Sequence, residues 1–334
     1  MARPASVPPM GKIGIIANPA SGKDVRRLVA RASVFDNQEK QAIVRRALVG
    51  MSQTGPHQVA FLDDDHGIVR GALAEVGGAL ESQAVADTQM GNALDTIAAA
   101  RALEAAECDV VMTLGGDGTN RAVAIGWRDV PVIPISTGTN NVFPVLTEAT
   151  VAGAAAGIIA SGVVSLEEVA AQHKLVQVAI EDEREDLALI DAVVSNERFV
   201  GARALLEPDQ LRMALLTRAD PAAVGITSIG GLLAPLSDRD ECGLLLELGG
   251  EAQGVDAPIA PGFYRRVGVT NHRVVNFGEE VTVQGPGILA FDGERERVLK
   301  PNQNAAMSLS RSGPRVVDVE KTMHLAAEKG CFKS

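Results

Sequence analysis

The residues best placed for chemistry form one run, Leu114-Gly115-Gly116-Asp117-Gly118-Thr119-Asn120, directly after the apolar segment Asp109-Val110-Val111-Met112-Thr113. An apolar, β-branched stretch that stops at a glycine pair reads as a buried strand entering a tight turn. Glycines let backbone approach a ligand closely. A helix that starts after such a turn presents its N–H groups to phosphate. A bare carboxylate beside phosphate is repulsive, so Asp117 reads as a metal organiser or a general base. Together these features point to ATP-dependent phosphoryl transfer.

The elements that must hold this turn alternate through the first half. Strands are expected at 12–17, 58–62, 84–86, 109–113 and 130–135. Helices are expected at 24–32, 38–52, 68–76, 92–108 and 120–126, with a connecting helix over the Ala- and Gly-rich stretch 151–166. Alternation of short apolar strands with helices predicts a parallel sheet covered on both faces. Ligands bind such sheets at the carboxyl ends of the strands. The loops 18–23, 63–67, 115–120 and 136–141 all lie there. After about residue 165 the pattern changes to β-like runs at 175–180, 187–194, 242–248, 266–269, 281–283 and 287–291, with the acidic run 181–186 as a solvated hairpin turn. The fold class expected is α/β: an N-terminal Rossmann-like parallel sheet domain (11–150) followed by a mostly antiparallel β-sandwich domain (165–315). A Pro-rich disordered tail (1–10) precedes them, and a C-terminal segment (316–334) returns to the first domain.

Composition narrows the partners. The chain has 334 residues, 46% hydrophobic and 22% charged, enough for two domains and a sizeable core. Aromatic residues are only 3%, which argues against base stacking on aromatic platforms. The net charge of −11, with no basic run, argues against nucleic acid and against strong adsorption to anionic membranes. No apolar stretch is long enough for stable membrane insertion. Cys108, Cys242 and Cys331, far apart and odd in number, suggest reduced thiols and a cytoplasmic setting. Asp63-Asp64-Asp65-His66 converges poorly, because neighbours on extended chain point in alternating directions, so it reads as a polar loop at the cleft mouth and no metal site is assigned. Lys23 and Arg121 read equally as phosphate-facing charges or as solvated surface residues.

Four elements then line up in order: Asn18-Pro19-Ala20-Ser21-Gly22-Lys23 after the first strand, Gly115-Gly116-Asp117-Gly118-Thr119, Thr137-Gly138-Thr139-Asn140-Asn141, and Asp292-Gly293-Glu294. Jointly they resemble the superfamily of NAD kinases and diacylglycerol- or sphingosine-type lipid kinases, and within it most closely the ATP-NAD kinase-like acetoin catabolism protein X branch. The first is not a Walker A loop, whose leading glycine is missing. The resemblance implies ATP and Mg²⁺ as cofactors and Asp117 as catalytic acid/base. It implies a nucleotide site made by Asn18, Ser21, Gly22, Gly115, Gly116, Gly118, Thr119, Thr137, Gly138, Thr139 and Asn140, with Thr119 capping the following helix. Asn196-Glu197 resembles the pair with which NAD kinases hold their nucleotide substrate, and Asp292 and Glu294 join it as substrate-binding residues. Each pair has a plain reading too, a polar strand end and an Asp-Gly hairpin turn. Where lipid kinases carry Asp after the Asn of the third element, this chain has Asn141. The segment Gly225-Ile226-Thr227-Ser228-Ile229-Gly230-Gly231 occupies the place of the NAD kinases' Gly- and Thr/Ser-rich segment without reproducing it. The acceptor implied is a soluble nucleotide, NAD at its 2′-hydroxyl, acted on by a homodimer or larger homo-oligomer. The alternatives are a lipid-type kinase and a non-catalytic nucleotide-binding regulator of acetoin catabolism.

Overall fold

The computed structural model describes residues 10–21, 36–78, 80–138, 141–197 and 208–333. The tail expected at 1–10, apart from Met10, and the helix expected at 24–32 lie outside them. The first half runs β1 (Gly11–Ala17), α1 (Asn37–Ser52), β2 (His57–Asp63), α2 (Ile68–Val76), β3 (Glu81–Asp87), α3 (Ala93–Ala105), β4 (Val110–Gly115), α4 (Asp117–Gly126), β5 (Pro131–Ser136), α5 (Ala149–Ala160) and the single turn α6 (Leu166–Val169). The second half runs β6 (Ala170–Gln172), β7 (Leu175–Ile180), β8 (Asp186–Ala188), β9 (Asp191–Ser195), β10 (Leu211–Leu216), α7 (Ile226–Leu233), β11 (Cys242–Ala260), β12 (Phe263–Asn276), β13 (Val281–Gln284), β14 (Gly287–Phe291), β15 (Glu294–Leu299), β16 (Asn304–Ser310), β17 (Arg315–Val317) and α8 (Val319–Glu328).

Seven strands form the first sheet in the order β3-β2-β1-β4-β5-β17-β6. β1 to β5 and β17 are parallel, and β6 is antiparallel to β17. β4 and β5 are buried at every position, as continuous apolar strands between two helical layers must be. On one face Ile43, Val44 and Leu48 of α1, Ile68 of α2 and Ala152, Ala156 and Ile159 of α5 pack on Ile13, Ile15 and Met112. On the other, Ala99 and Leu103 of α3 and Val123 of α4 pack on Ile16, Val111 and Val132.

The second half is a sandwich. A six-stranded sheet, β12-β11-β10-β9-β14-β15, faces a four-stranded one, β13-β16-β7-β8, and every pairing between adjacent strands is antiparallel. Val176, Val178, Met307 and Leu309 from one sheet and Leu245, Leu289 and Phe291 from the other share its core. The expected α/β plus antiparallel sandwich is the architecture found.

Several boundaries differ from the sequence reading for physical reasons. The run 187–194 is broken: β8 completes the hairpin with β7, then the chain crosses to the other sheet as β9. Asp186 at the end of the acidic run is not solvated, because its carboxylate is buried by two arginines described below. The stretch 151–166 is no mere connection. Its helix α5 lies against α1 at a glycine contact, where a Cβ on Gly153 would sit 1.9 Å from the Ala47 carbonyl oxygen and one on Gly50 2.0 Å from that of Thr150.

Candidate functional site

Order β3-β2-β1-β4-β5 means that the chain moves outward from β1 and returns to enter β4 beside it. Loops leaving two such neighbours diverge and open a crevice at their carboxyl ends. Asn18, just past β1, spans that crevice. Its N–H donates to the Leu114 carbonyl at 3.0 Å, and its side-chain Nδ2 donates to Thr119 Oγ1 at 2.9 Å. Ser21 Oγ lies 3.1 Å from Thr137 Oγ1 in the loop after β5. Ser136 donates its hydroxyl to Gly138 O at 2.7 Å and accepts from Asn141 Nδ2 at 2.8 Å. Loops from β1, β4 and β5 thus meet through side chains at one point.

Asp117 opens α4 at that point, with Gly116 in extended conformation at the N-cap. A helix N-terminus favours a negative charge there. The Asp117 carboxylate accepts the N–H of Phe143 at 2.7 Å and that of Val142 at 3.0 and 3.1 Å. The loop after β5 is therefore tied to the acid by backbone. Thr119 does not cap α4, which starts two residues earlier; it is buried and its hydroxyl receives Asn18. Gly22, Thr139 and Asn140 lie outside the described residues.

The sandwich contributes Glu294. A Cβ on Gly118 would lie 2.6 Å from Glu294 Oε1, so this carboxylate stands directly against the first turn of α4. It follows the turn Asp292-Gly293, whose φ angles of 51° and 81° and two-residue span between paired Phe291 and Glu294 fit a type I′ hairpin. Asp292 points inward. It is buried and accepts the backbone N–H of Leu189 at 2.9 Å, Ile190 at 2.7 Å and Asp191 at 3.3 Å. Burial and the Asp191 charge push its carboxyl up to about 8, against those N–H groups and Arg121.

Arg121 is neither surface residue nor open phosphate-facing charge. It is buried, bonded through Nη2 to Asp186 Oδ1 at 2.6 Å and through Nε to Leu187 O at 2.6 Å, with its guanidinium 5.0 Å from the Phe291 ring centroid. Arg297 takes the other oxygen of Asp186 at 3.1 Å. Asn196 and Glu197 are not brought to Asp292 and Glu294. Ala192 faces Phe291 across the sheet, whereas Ser195 faces Ile288, so the pair lies beyond the opposite end of β9, about 15 Å away at roughly 3.3 Å per residue. Gly230 and Gly231 lie in α7, where they pack closely on Leu216 and on the Asp220–Pro221 backbone. In the loop after β2 the acids diverge. Asp64 is buried and caps α2 through the N–H of Ile68, while Asp63 pairs with Arg70.

Two residues escape sequence reading. Lys40 is fully buried, and its ammonium holds the carbonyls of the loop after β1. Its signal was present: it sits on the apolar stripe of α1 with Ile43, Val44, Ala47 and Leu48. Arg218 donates to Val142 O at 2.5 Å and to Asp238 at 3.0 Å, bracing from the sandwich the loop that binds Asp117. Nothing in its sequence context marks it.

Two carboxylates flank the site, Asp117 and Glu294. Among the described residues no group of three or more His, Cys, Asp or Glu forms a cage. That donor set fits Mg²⁺, which takes one or two protein carboxylates and fills its shell with water and phosphate oxygens. Glu294 would hold it, and it would supply charge neutralisation.

Comparison with known proteins follows the two halves. The profile of the ATP-NAD kinase N-terminal domain matches residues 13–163, and that of the acetoin catabolism protein X C-terminal domain matches residues 174–312. Acetoin catabolism protein X of Cupriavidus necator is 36% identical over 337 residues, covering 96% of this chain and 94% of its own. The chain belongs to the acetoin catabolism protein X family. Its fold is that of the kinase superfamily expected from the motifs. The crystal structure of yeast NADH kinase complexed with NADH superposes with a TM-score of 0.52 at 14% identity, over 98% of this chain and 89% of that one. A diacylglycerol kinase from Bacillus anthracis gives a TM-score of 0.44 at 13% identity, over 92% and 97% of the two chains. Among the described residues of this family member, no helix is long and apolar enough to cross a membrane.

Proposed function

We propose that this protein transfers the γ-phosphoryl group of ATP, with Mg²⁺, to a hydroxyl of a soluble nucleotide, the 2′-hydroxyl of NAD, giving NADP. The observation that carries the reading is Asp117 at the start of α4, where loops from β1, β4 and β5 converge and Glu294 arrives from the sandwich. Phosphoryl transfer asks for positioning, charge neutralisation and help for the attacking hydroxyl. Asn18, Ser21, Thr119 and Thr137 offer hydroxyls and amides to the phosphates, and Asp117 takes the acceptor's proton. We place the activity in acetoin catabolism and in a homodimer or larger homo-oligomer on the strength of the family resemblance, and in the cytoplasm on the strength of the free cysteines Cys108, Cys242 and Cys331.

A second reading has its own support. Both Asp117 oxygens already accept backbone N–H groups, which suits an anchor that shapes a nucleotide pocket without turnover. One assay separates them: purified protein with ATP, Mg²⁺ and NAD, coupled to an NADP-dependent dehydrogenase, with Asp117→Asn alongside. The kinase reading expects NADP from the wild type and a loss of about 100- to 10,000-fold in the variant, the usual worth of a general base. ATP binding without product favours the second reading.

A further inference from the structure

Lys40 has none of its surface exposed to solvent. Its Nζ donates to Asn18 O at 2.9 Å, Pro19 O at 3.0 Å and Ser21 O at 2.6 Å, and to Asn37 Oδ1 at 3.2 Å. Three carbonyls from four consecutive residues thus converge on one ammonium, which draws the loop after β1 down onto α1. A lysine carries three rotatable donors on a long apolar stem. The stem runs in the stripe that packs α1 on the sheet, and only the head is polar.

The consequence lies on the loop's other side. With its carbonyls pinned, Asn18 sends its side chain to Thr119, and Ser21 Oγ, which donates to Asn18 O at 2.8 Å, lies 3.1 Å from Thr137 Oγ1. Those contacts join the β1 loop to the first turn of α4 and to the loop after β5. We propose that Lys40 is a positioning residue for the phosphate chain of the bound nucleotide: it holds the loop of residues 18–21 in the form that receives the polyphosphate, without touching the ligand. This rests on the reading of the site as an ATP site.

The test is calorimetric titration of full-length wild type and Lys40→Met with ATP, ADP and adenosine. The proposal expects Kd for ATP and ADP to rise by about tenfold or more, with adenosine held within roughly twofold. A residue that merely stabilised the fold would move all three ligands alike. An equal loss for all three, or unchanged ATP binding in the variant, overturns the proposal while leaving the nucleotide reading intact. Wild type that binds none of the three overturns both. Should Lys40→Met fail to fold, Lys40→Gln keeps most of the length and two N–H donors, and is judged by the same ATP-to-adenosine ratio.

Discussion

Asp292 and Asp191 share a buried corner between the hairpin turn and β9, and burial first, then the Asp191 charge, hold the Asp292 carboxyl near 8 rather than 3.8. The folded chain therefore keeps a proton there that the unfolded chain has released. Stability from this group is fully present below about pH 4 and is lost as pH rises towards 8, at about 1.4 kcal/mol per pH unit at most. Urea midpoints of wild type are expected to fall from pH 5 to pH 8 more steeply than those of Asp292→Asn, and equal slopes would refute the assignment. Arg121 behaves differently. It neutralises Asp186 inside the joint between α4 and β8. Arg121→Met strands that carboxylate with Arg297 alone, and a loss of about 3 kcal/mol or more is expected in chemical denaturation. A loss within about 0.5 kcal/mol, typical of surface substitutions, would show that Asp186 stays solvated.

At the scale of elements, two glycines make opposite predictions. Gly153→Ala drives a methyl into the Ala47 carbonyl, and backbone cannot rotate away, so α1 and α5 must part. Overpacking of this kind costs about 1–3 kcal/mol or more, visible as a lower Tm. Gly118→Ala meets only the tip of Glu294, a flexible side chain, so Tm should hold while the carboxylate is displaced from α4. Reduced activity with unchanged Tm is the expected result. What could be read from sequence follows the same physics. β4 and β5 were legible because strands covered on both faces are unbroken apolar runs. β12 was found only over 266–269, because an edge strand with most residues exposed has no such run. The glycine turn around Asp117 was legible, yet its partners were not. Val142 and Phe143 bind the acid by backbone, which no side chain encodes. Asn196-Glu197 lies beyond the end of β9 away from Asp292 and Glu294, and a dipeptide carries no register from which that could be read.

Across the whole molecule the chain crosses between its halves twice. After the sandwich is complete it re-enters the first sheet as β17, pairing parallel with β5 and antiparallel with β6, and ends in α8, whose Ala326 joins the core of that domain. A chain truncated after Pro314 is therefore expected to lose the first domain's cooperative unfolding rather than shed a dispensable tail. Limited proteolysis and circular dichroism of the truncated protein check this, and an unchanged resistant core would contradict it. The same return governs birth at the ribosome. β1 to β5 emerge first, but the seat between β5 and β6 stays vacant until the last stretch of polypeptide has been made. The nascent protein starts its parallel-sheet half first and finishes it last, so the sandwich must fold beside a partner that is still open at one edge.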